Sequence, residues 1–220
     1  MKTLSSALLA SVLFAAAGNA QAFGVGARAG TTGFGGDIGF SLAPTLLARV
    51  GLAGGNYSTN LSANGIDYDA KFKSAVGSLL IDWSPLGPFR LTAGFMPNNN
   101  KIDLTGKAQN GSYNFNGNTY QASDVGSLSG SVKTGNRFAP YVGIGYGNVA
   151  TAGINFYADL GVMYTGSPKT SLSAACGPTA SAGTCNQLQA DVAAEQGRLG
   201  DDLRFARWYP IATIGVTIGF

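Results

Sequence analysis

A chain of 220 residues is long enough for one or two soluble domains, but only 11% of its residues are charged and 33 are glycine. Soluble domains typically carry about 25% charged residues, so the composition argues against that class. The formal charge of +3 is small and built from both signs, which excludes the concentrated basic surface of a nucleic-acid binder, and the absence of histidine excludes Ser-His-Asp triads, Cys-His pairs and the usual histidine metal centres.

The amino terminus reads as a signal peptide over residues 1–22. Lys2 supplies a positive start and residues 4–17 form an apolar run, shorter than the roughly twenty residues of a membrane-spanning helix. Gly18-Asn19-Ala20-Gln21-Ala22 then places small residues where a signal peptidase cuts, which predicts a mature chain beginning at Phe23. No later stretch reaches about eighteen apolar residues, so an exported, rather apolar chain has no helix with which to cross a membrane. A closed β-barrel is the remaining way to satisfy every backbone hydrogen bond in lipid.

The strands follow with a period of two. Phe23, Val25, Ala27 and Ala29 oppose Gly24, Gly26, Arg28 and Gly30, and after a tight join at Thr31, Thr32 and Gly33 the residues Ile38, Phe40 and Leu42 oppose Asp37, Gly39 and Ser41. A turn at residues 43–45 leads to a third strand, Ala48, Val50 and Leu52 against Arg49, Gly51 and Ala53, which runs towards Asn60. Asn64-Gly65 supplies a hairpin turn. The returning strand changes parity, because Tyr68 and Phe72 are even while Leu79, Ile81 and Trp83 are odd, and this predicts a bulge near residues 73–75.

After a turn at residues 84–88, Phe89, Leu91, Ala93 and Phe95 alternate with Arg90, Thr92 and Gly94. Residues 97–128, rich in Asn, Gly and Ser, read as a long external loop that could carry its own hairpin. Regularity returns at Phe138, with Val142, Ile144 and Tyr146 opposing Tyr141, Gly143 and Gly145. Beyond a turn at 147–153, Ile154, Phe156, Ala158, Leu160, Val162 and Tyr164 oppose Asn155, Tyr157, Asp159 and Gly161. A second long loop, residues 166–202, holds Cys176 and Cys185 and a short helix with Leu188, Val192 and Leu199 on one side. The polar setting, an oxidising compartment and the lack of histidine predict a disulfide there, not a metal site.

The last strand ends with Ile214, Val216, Ile218 and Phe220 facing one way, and Phe220, Ile218 and Val216 form the pattern that barrel-assembly machinery reads. Pro210 in this strand could weaken a ladder and open the wall sideways, or mark a harmless bulge. The count predicts an all-β fold: an eight-stranded antiparallel transmembrane β-barrel with short turns on the periplasmic side and two long extracellular loops. Trp83, Tyr146, Tyr164 and Trp208 near strand ends suit an interfacial girdle.

Four stretches carry a likeness: GARAGTTGFGG at 26–36, ANGIDYD at 63–69, APYVGIGYG at 139–147 and YADLGVMYTGSPK at 157–169. In these the chain resembles the carbapenem-associated outer-membrane proteins, also described as ornithine-uptake porins. The resemblance implies an eight-stranded monomer of the outer membrane that passes basic amino acids and influences carbapenem entry.

The register turns seven charges inward: Arg28, Asp37, Arg49, Asp82, Arg90, Asp159 and Arg207. One reading is a polar pathway in which Asp37, Asp82 and Asp159 favour a cationic amino acid and the arginines hold its carboxylate. The other is that they pair with one another, because an eight-stranded barrel is just wide enough for side chains to fill and buried charges must be paired. The glycines of the strands lack the helix that a phosphate-binding loop requires. Expected, therefore, is a small channel for polar or cationic solutes, or alternatively a non-conducting barrel acting through its external loops. The expectation includes no enzymatic activity, cofactor, metal or nucleic acid. The partners expected are outer-membrane lipid and lipopolysaccharide, the barrel-assembly machinery and small solutes.

Overall fold

The computed structural model describes residues 22–63, 66–108 and 111–220. The expected signal peptide lies outside the described residues except for Ala22, as does the Asn64-Gly65 turn. Thirteen strands are found among the described residues: β1 (Phe23–Gly30), β2 (Gly33–Ala43), β3 (Leu46–Ala63), β4 (Ile66–Leu86), β5 (Phe89–Pro97), β6 (Lys101–Ala108), β7 (Ser112–Phe115), β8 (Asn118–Gln121), β9 (Val125–Lys133), β10 (Phe138–Tyr146), β11 (Gly153–Tyr164), β12 (Lys169–Cys176) and β13 (Trp208–Gly219). Helix α1 (Ala182–Asp202) and a 3-10 turn (Leu203–Arg207) precede the last strand. Among the described residues no helix is long and apolar enough to cross a membrane.

Eleven strands form one antiparallel sheet, and β7–β8 form a separate hairpin. The pairings run from β3 to β4, β5, β10, β11, β13, β1, β2 and back to β3, because β4 pairs with β5 over its last third as well as with β3. Where the two long loops were expected, the chain continues as strand. β6 follows β5 up the side of β4 in the same register, Leu79↔Phe95 giving way to Lys73↔Lys101. β9 pairs with β6 and β12 with β9, which extends the wall on one side.

Between β5 and β6 the ladder thins to a Val76–Asn98 bridge and the Asn99 N–H to Ala75 carbonyl bond at 2.9 Å, and polar side chains add to it. Asn98 donates to the carbonyls of Met96 and Asn136 at 3.2 and 3.1 Å and accepts from the Thr134 hydroxyl at 2.7 Å, while Asn100 accepts from the Ala75 amide at 3.2 Å. The β7–β8 hairpin turns at Asn116-Gly117, both at positive φ (52° and 84°). That is the backbone a two-residue turn requires, and Asn and Gly reach it at least cost.

The bulge expected near residues 73–75 is absent. The β3–β4 register is unbroken from Leu46↔Trp83 to Ala63↔Ile66. The even face of β4 points inward throughout: Ile66, Ala70, Val76, Ser78, Leu80 and Asp82 are all buried. What changes is the surroundings. Above residue 75 the interior is apolar and the odd face carries Asp69, Lys71 and Lys73, as in a water-soluble protein. Below it the odd face carries exposed Leu79, Ile81 and Trp83 while Ser78 and Asp82 point inward. The hydropathy pattern inverts without any change in strand geometry, and an exposed apolar band on polar-lined strands is the arrangement that hydrocarbon demands. Pro210 likewise makes no bulge. It stays in register opposite Val162, and on its other side the Thr31 hydroxyl donates to the Pro210 carbonyl at 3.2 Å.

Candidate functional site

Inside the circuit of strands six charged side chains meet. Arg28 comes from β1, Asp37 from β2, Arg49 from β3, Asp82 from β4, Arg90 from β5 and Asp159 from β11, and none is more than 5% exposed. Arg49 is the hub. Its Nε and Nη2 grip Asp82 at 3.0 and 3.1 Å, and its Nη1 lies 2.5 Å from Asp159. Arg90 binds the other Asp159 oxygen through Nη2 at 2.8 Å and lies 3.8 Å from Asp82. Thr92 donates to Asp82 at 2.6 Å. Arg28 touches Asp37 at 3.2 Å and donates to Ser78 at 3.3 Å, and the Tyr157 hydroxyl donates to Asp37. Arg49 and Arg90 both lie over the Tyr157 ring, 5.3 and 5.4 Å from its centre.

Three guanidiniums and three carboxylates leave this lattice neutral. Charges withdrawn from water are tolerated only when paired and hydrogen-bonded, and the bidentate fork of arginine suits that better than lysine does. Glycines on neighbouring strands give the side chains room. A Cβ at Gly51 would come within 1.9 Å of Asp37, and one at Gly145 within 2.4 Å of Asp159.

Apolar clusters lie on both sides of the lattice. Toward β6 and β9 lies a buried apolar layer of Val76, Leu80, Met96, Tyr141, Met163 and Ile211. Toward the short turns, the segment between β10 and β11 folds inward, so that Val149 and Ala150 pack with Leu47 and Tyr157. Gly24 admits this segment, since a Cβ there would meet the Val149 carbonyl at 1.8 Å.

Above the upper apolar layer the wall encloses a cup of about 740 Å³, lined by Tyr57, Phe72, Ile102, Val132, Pro168 and Tyr209 among others. The rings of Tyr57 and Phe72 lie 6.3 Å apart, and Tyr209 is held by its hydroxyl to the Thr31 carbonyl at 2.8 Å. The cup is mostly apolar, with Lys73, Lys101, Lys133, Ser74 and Asn100 also contributing to its wall, and a mostly apolar cavity with a few polar groups is the usual make-up of a small-molecule site.

The overall fold has counterparts among known structures. A crystal structure of CarO from Acinetobacter baumannii superposes with a TM-score of 0.62 at 25% identity, covering 90% of this chain and 97% of that one. The CarO2 structure from the same organism gives 0.59 at 25% identity, over 92% of this chain and 100% of that one. In fold the chain is similar to these CarO outer-membrane proteins. No family model and no curated protein sequence matches it. Its compartment is the outer membrane of a Gram-negative cell.

Over this wall sits a cap formed by the two segments expected as long external loops, and it contains a hairpin and a helix where they were expected. The β7–β8 hairpin and α1 pack on the inner face of the extended sheet, around buried Ile66, Tyr113, Phe115, Leu128, Leu188 and Val192. Helix α1 runs 21 residues, longer than the short helix expected, and Leu188 and Val192 are buried on it as its periodicity predicts, with Leu199 half-buried. Ser181 caps its amino end by accepting from the Thr184 amide at 3.1 Å. Cys176 and Cys185 form a disulfide, with Cα atoms 5.6 Å apart, that ties the end of β12 to the first turn of α1.

Asp191 fastens the hairpin to the helix. It accepts from Asn118 at 2.8 Å, from Asn116 at 3.0 Å, from Gln187 at 3.3 Å and from the Tyr120 hydroxyl. These donors hold its carboxyl well below the usual carboxylate range, the Tyr120 bond contributing most. Burial, with the Asp191 bond and charge added, pushes the Tyr120 phenol up to about 12. Asn116-Gly117 between two aromatic segments carried the signal for this hairpin. Nothing in the sequence marked Asp191 as its anchor.

Arg207 does not join the other six charges. It ends the 3-10 turn, where the period of two no longer applies, and its Nε donates to the Arg204 carbonyl at 2.7 Å. Val216, Ile218 and Phe220 share an exposed face, and Phe220 stacks on Phe23 with ring centres 5.1 Å apart where the last strand meets the first. The girdle aromatics Trp83, Tyr146 and Trp208 are exposed at strand ends, and Tyr164 packs against Trp208.

Proposed function

We propose that the circuit of pairings is a closed eight-stranded barrel crossing the outer membrane, with the cap and cup outside the cell and the short turns in the periplasm. Its lumen is held shut, and the protein acts at the surface by binding a small apolar or amphipathic compound in the cup. The observation that carries this reading is the lattice of Arg28, Asp37, Arg49, Asp82, Arg90 and Asp159, buried between two apolar layers. An ion or amino acid entering such a lumen must part the buried Arg49–Asp82 and Arg49–Asp159 pairs.

The alternative is the channel for basic amino acids. It requires Asp159 to release Arg49 and Arg90 and accept a substrate ammonium, and Val149 to leave the inner mouth. Planar-bilayer recording on the refolded mature protein, with arginine and ornithine entry into liposomes, tests the two. The closed-barrel reading expects no steady conductance and no entry above empty liposomes. Steady ohmic conductance with ornithine entry overturns it. For the cup, an environment-sensitive apolar dye is expected to bind the wild type and to lose affinity in Tyr57→Ala and Phe72→Ala.

A further inference from the structure

The outward face of the extended sheet holds four lysines in one row. Lys73 on β4 is directly opposite Lys101 on β6, Lys101 is opposite Lys133 on β9, and Lys133 is opposite Lys169 on β12. Residues paired in this way project from the same face of a sheet. With neighbouring strands about 4.8 Å apart, the row places four ammonium groups along roughly 15 Å. Like charges directly opposite one another destabilise a sheet, yet among the described residues only Asp103 pairs with the row, at 2.9 Å from Lys73 and 2.5 Å from Lys101. Among the described residues no carboxylate pairs with Lys133, Lys169 or the nearby Arg137.

Solvation alone explains a scattered lysine, and blocking of edge pairing explains one on an edge strand. Lys169 is on the edge strand β12, but Lys101 and Lys133 belong to interior strands. The rest of this face on β9 and β12 is neutral, with Ser127, Ser129, Ser131, Ser171 and Ser173, so the charge is concentrated at the end nearest the apolar band.

The lysines border a cleft of about 820 Å³ that also includes Arg137. Directly beneath is an open groove of about 620 Å³ lined by Phe34, Leu52, Pro97 and Phe138. Phe34, Leu52 and Phe138 are exposed on the lipid-facing side of the wall. The two spaces meet at Ala75, Asn99 and Arg137, which line both. A cationic cleft opening into an apolar groove matches one kind of occupant, an amphiphile with an anionic head and hydrocarbon tails.

We propose that this face is a binding site for a phosphorylated glycolipid of the outer leaflet, with phosphate on the Lys73, Lys101, Lys133, Lys169 and Arg137 cluster and an acyl chain along Phe34, Leu52 and Phe138. The site rests on the outward orientation of the extended sheet proposed above. Phosphate suits the cluster because lysines bind it as point charges without demanding a planar fork. It also removes the repulsion along the row.

The test is native mass spectrometry of the refolded mature protein in detergent, with purified diphosphoryl lipid A and its dephosphorylated form as probes. The diphosphoryl lipid is expected to be retained about tenfold better than the dephosphorylated one, as desolvated charge pairs require. Retention should fall by a similar factor in the triple variant Lys101→Gln, Lys133→Gln, Lys169→Gln. Lys71→Gln and Lys107→Gln, on the same face but away from the cleft, should retain it as the wild type does. Equal retention of the two lipids, or full retention by the triple variant, overturns the site. Displacement of the lipid by inorganic phosphate at the lipid's own concentration overturns the lipid assignment in favour of a simple anion site. Because this measurement is made on purified protein, it does not depend on orientation in the cell. Labelling of Lys133 and Lys169 by a membrane-impermeant amine reagent on intact cells tests the orientation separately.

Discussion

Arg49 and Asp159 lie 110 residues apart in the chain and meet at 2.5 Å in the middle of the barrel wall's interior, with both side chains at least 96% buried. Arg49 also holds Asp82, so removing it leaves Arg90 as the one guanidinium against two buried carboxylates. Breaking a buried pair from one side costs about 3–5 kcal/mol. Arg49→Ala is therefore expected to lower the unfolding free energy of the refolded protein, read from urea denaturation, by that amount. Adding Asp82→Asn to Arg49→Ala should recover part of the loss, since the excess negative charge is gone. A single variant as stable as the wild type would show that the lattice does not hold the strands together.

Two glycine substitutions should act in opposite directions. Gly51→Ala drives a methyl into Asp37, 1.9 Å from its oxygen, and forces the Arg28–Asp37 contact apart. Overpacking of this kind costs about 1–3 kcal/mol. Gly197→Ala lies within α1 with nothing inside 4 Å of the added carbon, and should stabilise the helix by about 0.5–1 kcal/mol. Chemical denaturation of the two variants, followed by tryptophan emission for the wall and by far-ultraviolet dichroism for the helix, checks both.

The cap should respond to acid through Asp191. Its folded carboxyl titrates below its unfolded value, so the stabilisation is complete above about pH 4, the ordinary aspartate value. It is lost as pH falls from there through the depressed folded value. Hydrogen exchange of the Tyr113 and Tyr120 segments is expected to be constant from pH 5 upward, once corrected for the intrinsic rate, and to accelerate in acid. Asp191→Asn should weaken the docking at neutral pH and remove most of that acid dependence. An unchanged acid profile in the variant would mean that some other group governs the cap.

The disulfide should matter to the cap and not to the wall. Cys176 and Cys185 are nine residues apart, and closing so short a loop stabilises by about 2.5 kcal/mol on the chain-entropy account. A Cys176→Ala, Cys185→Ala variant is expected to expose α1 to limited proteolysis while the barrel keeps its resistance to unfolding in detergent. Equal loss in both regions would make cap and wall a single cooperative unit.

Much of the wall was legible because alternation needs only one strand at a time. The faces of Phe23 to Gly30 and of Ile154 to Tyr164 follow from the residues alone. The lattice was legible as a set of inward charges but not as partners, since Arg49 finds Asp159 only through the register of several strands between them. Arg207 was misplaced because the 3-10 turn at 203–207 interrupts the alternation before the last strand begins. The extension through β6, β9 and β12 was hidden by its Asn, Gly and Ser content: strands facing water on one side and a helical cap on the other need neither lipid-facing nor lumen-facing residues. The bulge inferred near residue 74 came from assuming that grease must stay on one face. It moves to the other face where the surrounding medium changes.

That crossover on β4 limits how the gene can drift. Deleting or inserting a single codon between positions 74 and 78 would swap the two sides of everything on one flank of the change, sending either Lys71 and Lys73 into the cap's apolar centre or Leu79 and Ile81 against the buried arginines. A loop can absorb an indel, and so can a strand with two equivalent faces, but this stretch has no neutral phase to shift into. Length variation among relatives should accordingly collect at the Asn116-Gly117 tip and around residues 177–181, and the spacing from Phe72 to Leu79 should stay fixed.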